Sequence, residues 1–148
     1  MAGVLDAEQA ALLAAVLDCL IPARASLPGA GDLGLAARID AAIAASPALR
    51  RTYLDGLSTI AAAGERPFAE LDVAGQEAVI GAIEASQPLF FAVLIEHAYR
   101  HYYTDPRVQR ALGMVDGPPQ PNGHQLPAFD ERLLTVQRKR APFWRRTS

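Results

Sequence analysis

Apolar side chains recur along this chain at three- and four-residue intervals, and polar caps, prolines and glycines cut the recurrence into helices. Leu13, Val16, Leu17 and Leu20 share one helical face. Asp6 with Gln9 three residues later is a capping-box variant that opens this helix, predicted over about 7–21, and Pro22 stops it. A Pro/Gly-rich loop covers 26–31; Asp32 is then the expected cap of a helix carrying Leu35, Ile39 and Ile43. Ser46-Pro47 pairs an N-cap with proline at the first helical position, ahead of Leu49, Tyr53, Leu57 and Ile60, and Gly64 is the expected terminator. After a short link at Phe68–Leu71, Asp72 caps a helix whose buried side is expected to be Val73, Val79, Ile80 and Ile83. Ser86 and Pro88 start the most apolar helix, Leu89 to about Tyr103. Thr104-Asp105-Pro106 restarts helix at once, with Val108 and Leu112 inward and Gly113 closing it. Residues 114–128 are expected to be an irregular surface loop, followed by a last helical piece from Phe129 to about Arg140. No alternating strand pattern and no fixed-period repeat is visible. The expectation is an all-α fold, a small irregular bundle of six or seven helices.

Composition refines this picture. A length of 148 residues fits one helical domain over 1–148, and 29 alanines make much of the 51% apolar content small and helix-forming. The single Cys19 excludes an intrachain disulfide framework and a Cys-based zinc cage. No apolar run reaches membrane-spanning length, so direct membrane insertion is not expected, and a net charge of −2 gives no sign of a nucleic-acid binder. That charge is uneven. Residues 1–129 carry 8 arginines against 14 acids, whereas 130–148 carry 5 arginines and Lys139 against 2 acids. Arginine suits planar pairing with carboxylates, so the basic, aromatic C-terminal segment (about 129–148) reads as a protein contact. The first cation is Arg24, so the basic n-region of a secretory signal is absent, as is a twin-arginine pair; the reading is cytoplasmic.

Candidate chemistry is sparse. His97 and His101 stand at i and i+4 with Asp105 at i+8, a spacing able to bind a divalent metal, although a metalloprotease helix would need glutamate where Ala98 stands. The competing reading is a polar helix face with locally bonded imidazoles. Phe90 and Phe91 read as core, while Tyr99, Tyr102 and Tyr103 span too much of the helix circumference to be buried together. Exposed tyrosine beside arginine is the composition of a protein–protein hot spot. Cys19 on an apolar face reads as an inert thiol. No phosphate-binding glycine loop, nucleophile–histidine arrangement or paired Glu-x-x-His motif occurs, so no catalytic residue is assigned. In the tail, Phe143 and Trp144 among arginines want burial against a partner.

Three stretches resemble a known family. They are Leu20-Ile21-Pro22-Ala23 with the following Pro28-Gly29-Ala30 and the Leu35-to-Asp40 helix; the sharper run Tyr102-Tyr103-Thr104-Asp105-Pro106-Arg107 continuing to Gly113; and Pro121-Asn122-Gly123-His124, where related chains tend to have an aromatic in place of His124. Together they resemble the small subunit of gluconate 2-dehydrogenase, the subunit 3 family. The resemblance implies a non-catalytic accessory subunit that binds, stabilises and matures a large flavoprotein of the glucose-methanol-choline type. It implies FAD and sugar or sugar-acid oxidation in that partner, with no cofactor in this chain. Exported members carry a twin-arginine signal on the small subunit; its absence here implies a cytosolic complex or one exported by other means. On this reading the partner-binding residues are Tyr102, Tyr103, Arg107, Phe143, Trp144 and Arg145. The alternative is a small metal-binding protein or enzyme using His97, His101 and Asp105.

Overall fold

A computed structural model describes residues 3–114 and 128–141. The chain divides into two compact units, Met1–Asp116 and Gly117–Ser148. The larger unit contains α1 (Ala7–Leu20), α2 (Leu35–Ala44), α3 (Pro47–Ala62), a 3-10 turn at Phe68–Glu70, α4 (Val73–Ser86), α5 (Pro88–Tyr103) and α6 (Pro106–Ala111). The smaller holds a 3-10 turn at Glu131–Leu134 running into the single helical turn α7 (Thr135–Arg138). The described residues form no β-strand, only an isolated bridge between Arg24 and Leu27. The fold is a small all-α bundle.

Local chemistry explains most helix starts. Asp6 and Gln9 form the full capping box of α1. The Ser46 and Asp72 side chains accept the backbone N–H three residues on, opening α3 and α4. The N-cap of α2 is Gly34 rather than Asp32: the backbone there is left-handed (φ +67), a conformation open to glycine without a Cβ clash. Helix α5 begins at Pro88 from Gln87, while Ser86 ends α4 and donates its hydroxyl to the Ala82 carbonyl. Gly113 (φ +76) closes α6 as expected, whereas Gly64 stands beyond the end of α3 without a left-handed backbone.

The core of the larger unit is one cluster. It takes Leu13, Val16 and Leu17 from α1, Leu35, Ile39 and Ile43 from α2, Tyr53, Leu57 and Ile60 from α3, Ile80 and Ile83 from α4, and Phe90, Leu94, Ala98 and Tyr102 from α5. Two expected core residues lie outside. Val73 is 70% exposed and Leu112 is 48% exposed, because each stands at the end of its helix where the apolar stripe has passed beyond the neighbouring elements. Phe129, Leu133 and Val136 of the smaller unit are also exposed, and α7 is far shorter than the expected helix over 129–140. Two carboxylates hold loops onto this core. Asp40 accepts from the amides of Val4 and Leu5 at 2.8 and 3.0 Å, and Asp18 accepts from Gly31 at 2.7 Å. A Cβ at Gly31 would run into the Asp18 carboxylate, so a larger residue there would displace this contact.

Helices α3 and α5 approach closely because Gly56 lies against the ring of Phe90, which also meets Tyr53 edge-on at 5.6 Å. A methyl group at position 56 would overlap that ring. Overpacking of this kind costs about 1–3 kcal/mol, against a gain of ~1 kcal/mol in helix propensity for alanine. Gly56→Ala is therefore expected to be less stable than the wild type in urea denaturation, and Gly56→Ala combined with Phe90→Leu to recover part of the loss.

Candidate functional site

Polar side chains converge at the corner where α5 turns into α6. Thr104 ends α5 by donating its hydroxyl to the Arg100 carbonyl at 2.6 Å, and Asp105 starts α6 as its N-cap, ahead of Pro106 at the first helical position. The Asp105 side chain is buried at 1% exposure. Its Oδ1 accepts from the Arg107 backbone N–H at 2.9 Å and from Arg107 Nε at 3.0 Å. Its Oδ2 accepts from Arg107 Nη2 at 3.1 Å and from Arg38 Nη2, on α2, at 2.7 Å. Arg107 Nη2 also donates to the Leu33 carbonyl at 3.1 Å. The Arg107 hydrogen bonds, helped by Arg38, hold the Asp105 carboxyl far below the usual carboxylate range despite burial, which pushes the other way.

Two tyrosines and a histidine complete the corner. Tyr102 is buried and donates its hydroxyl to the Pro28 carbonyl at 2.9 Å, fastening the Pro/Gly loop before α2 to α5. His97, also buried, is hydrogen-bonded through Nδ1 to Tyr53 Oη at 2.9 Å, with the two rings stacked. Burial, and then the Arg100 charge, lower the His97 pKa. His101 is lowered by burial and by His97, Arg38 and Arg100. Both imidazoles are thereby biased toward the neutral form.

The structure does not assemble the candidate metal ligands. His97 and His101 lie with ring centroids 6.2 Å apart, but His97 Nδ1 is committed to Tyr53 and every acceptor position of Asp105 is taken by arginine. No group of three or more His, Cys, Asp or Glu able to hold a metal occurs among the described residues. The candidate interface residues divide as well. Tyr102 is inside, against expectation, because its helical position faces the 28–34 loop. Tyr103 is 53% exposed and packs beside the exposed Tyr99 at 6.0 Å between centroids. Arg107 keeps half its side chain in solvent while its guanidinium is anchored inward. Phe143, Trp144 and Arg145, like the Pro121–His124 motif, lie outside the described residues.

Three roles escaped the sequence reading. Arg38, Tyr53 and Pro28 meet partners 67, 44 and 74 residues away, and the local patterns of Tyr53 (an apolar stripe) and Pro28 (a loop) do not announce them. The one faint signal for Arg38 is that it is the sole cation of an otherwise alanine-rich helix.

Catalytic machinery does not emerge from these contacts. Every buried side-chain nitrogen or oxygen among the described residues has a hydrogen-bond partner, and the Cys19 thiol is pushed up by burial and by Glu77. A cleft of about 570 Å³ between α1, α3 and residues 64–69 is lined by Asp6, Glu8, Leu12, Leu57, Ser58 and Phe68 among others. The first turns of α1, α4 and α6 are each closed by an aspartate of this chain. An anionic ligand at those three helix ends would meet carboxylates, whereas α2 starts from Gly29-Ala30-Gly31-Asp32-Leu33-Gly34, a G-x-G-x-x-G spacing that the sequence reading did not register and that follows a turn rather than a strand.

Asp105→Asn keeps the shape and the cap but removes the charge between two arginines. Both arginines are half-exposed, so the loss falls below that of a fully buried pair, at about 2–3 kcal/mol in urea denaturation. Because the folded-state pKa is depressed, this stabilisation is present above the unfolded carboxylate pKa of about 3.9 and is lost as pH falls below it. The stability gap between wild type and variant is expected to be constant near neutrality and to narrow below about pH 4.

The family model described as gluconate 2-dehydrogenase subunit 3 matches residues 7–115, a stretch that contains all of α1 to α6 and the whole corner. No curated protein and no solved structure gives a match. The matched stretch is most of the chain, and the chain belongs to the gluconate 2-dehydrogenase subunit 3 family.

Proposed function

We propose that this chain is a non-catalytic accessory subunit that binds a large FAD-dependent oxidoreductase of the glucose-methanol-choline type and supports its folding and maturation. The reading rests on family membership, since the family's name is that of one subunit of a dehydrogenase. FAD and the sugar or sugar-acid substrate belong, on this reading, to the partner. Two features of the larger unit support it. Among the described residues, every buried side-chain nitrogen or oxygen has a hydrogen-bond partner within the bundle. Its surface exposes Tyr99 and Tyr103 on one stripe of α5, near Leu112 and Met114, which follow α6. The Tyr103 carbonyl accepts from Gln109 Nε2, and the Gln109 carbonyl accepts from the Met114 amide, which brings these segments together. Tyrosine with its low conformational entropy, and adaptable methionine, are residue types enriched at protein interfaces.

The proposed contact surface therefore differs from the earlier residue set. Tyr103 stays, Tyr99, Leu112 and Met114 join it, and Tyr102 becomes a structural residue. The test is expression of a large flavoprotein of the glucose-methanol-choline type with and without this chain. Co-purification and a higher soluble, FAD-loaded yield are expected with the chain present. Tyr99→Ser with Tyr103→Ser is expected to weaken the complex by about tenfold or more while leaving the helical content of this chain intact. Equal FAD-loaded yield without co-purification would end the proposal.

A further inference from the structure

The corner holds one more charge than its structural task needs. Asp105 is already chelated by Arg107 through Nε and Nη2, and its Oδ1 also takes the Arg107 amide. Arg38 adds a second guanidinium from another helix at 2.7 Å. With two lone-pair directions per oxygen, the four hydrogen bonds saturate the carboxylate. One negative charge thus faces two positive ones, and the side chains of Arg38 and Arg107 remain 40% and 51% exposed.

The unused donors are specific. Arg107 spends Nε and Nη2 on Asp105 and Leu33, which leaves Nη1 without a protein acceptor among the described residues. Arg38 spends a single N–H, leaving Nε and Nη1 without an acceptor among the described residues. Both guanidiniums are held in place by a buried anion, so presenting these donors to a ligand loses little side-chain entropy. Two arginines, Arg38 and Arg100, act on the neighbouring His101, and Arg100 is itself paired with Glu96. This occurs in a unit that is otherwise acidic, with 8 arginines against 14 acids over residues 1–116.

We propose that Arg38 and Arg107, preset by Asp105, form a binding site for a single carboxylate, supplied by an acidic side chain of a protein or by a free small carboxylate. A net charge of +1 matches a monoanion, and Arg107 Nη1 together with the unused Arg38 nitrogens supplies donors for its two oxygens. A phosphate dianion fits less well. The additional backbone N–H donors that phosphate sites recruit are missing, because the first turn of α6 is already closed by Asp105.

The experiment is an NMR titration of the full 148-residue chain, following the Nε–H signals of Arg38 and Arg107 and the ring protons of His101. The probes are sodium acetate, a capped peptide containing Asp and Glu, and inorganic phosphate, at constant ionic strength. Saturable shifts of both arginine signals by acetate or the peptide are expected, together with an upward move of the His101 titration midpoint. A peptide at least about tenfold tighter than acetate assigns the site to a protein side chain; comparable affinities assign it to a free carboxylate. Arg38→Gln, which removes the guanidinium, is expected to weaken binding by about tenfold, and Arg51→Gln on α3 to leave it unchanged. Should Arg38→Gln fail to fold, the shifts of the two native arginine signals decide alone. No saturable shift, equal binding by a folded Arg38→Gln chain, or tighter binding of phosphate than of either carboxylate would overturn the proposal.

Discussion

A carboxylate out of contact with water, shared by two guanidiniums from different helices, is the constraint on which the corner of this bundle depends. Asp105 ends one helix–helix connection, opens the next helix, and draws Arg38 of α2 onto the same pair of oxygens. An isolated buried charge of this kind would be strongly destabilising, and it is tolerated because each oxygen takes two hydrogen bonds and positive charge outweighs negative. Arg107 then reaches the Leu33 carbonyl, and Tyr102 reaches the Pro28 carbonyl, so the loop preceding α2 is fastened at both ends to the α5–α6 turn. Residues of little intrinsic order, the Pro/Gly loop, are thereby given a fixed course over the core.

This places the most distinctive sequence motif in a structural role first. Tyr102, Thr104, Asp105, Pro106 and Arg107 each make a contact that defines the turn, and the family match spans that turn together with the loop and helix it grips. The side chains left over face outward: Tyr103 with Tyr99 on one stripe of α5, and the free edges of two arginines beside the corner. Among the described residues the buried polar groups are satisfied internally, and the outward face offers aromatic and cationic side chains.

What the chain reveals in advance follows from the range of the interactions involved. The capping box at Asp6 and Gln9, the Ser46-Pro47 start, and the Gly113 stop are set within four residues, and all three are legible in the sequence. Stripes of apolar residues give the buried faces of α2 and α3 for the same reason. Periodicity does not say where along a helix burial ends, which is why Val73 and Leu112 emerge on the surface. The spacing of His97, His101 and Asp105 is equally visible, but its meaning depends on Tyr53 and Arg38, which come from other helices. Local spacing allowed a metal; long-range partners used the same atoms for hydrogen bonds. Tyr102 and Tyr103 are adjacent in sequence and opposite in fate, since one faces the 28–34 loop and the other faces away from it.

The claim that Asp105 is the clasp of this corner is tested most directly by a double-mutant cycle between Asp105→Asn and Arg107→Met, read by urea denaturation near neutral pH. If the two residues act as a unit, the double variant will be more stable than the sum of the single losses predicts, by more than about 1 kcal/mol, because each single change strands a partner that the other removes. Losses that add to within about 0.5 kcal/mol would mean that the pair is not coupled, and would contradict the account.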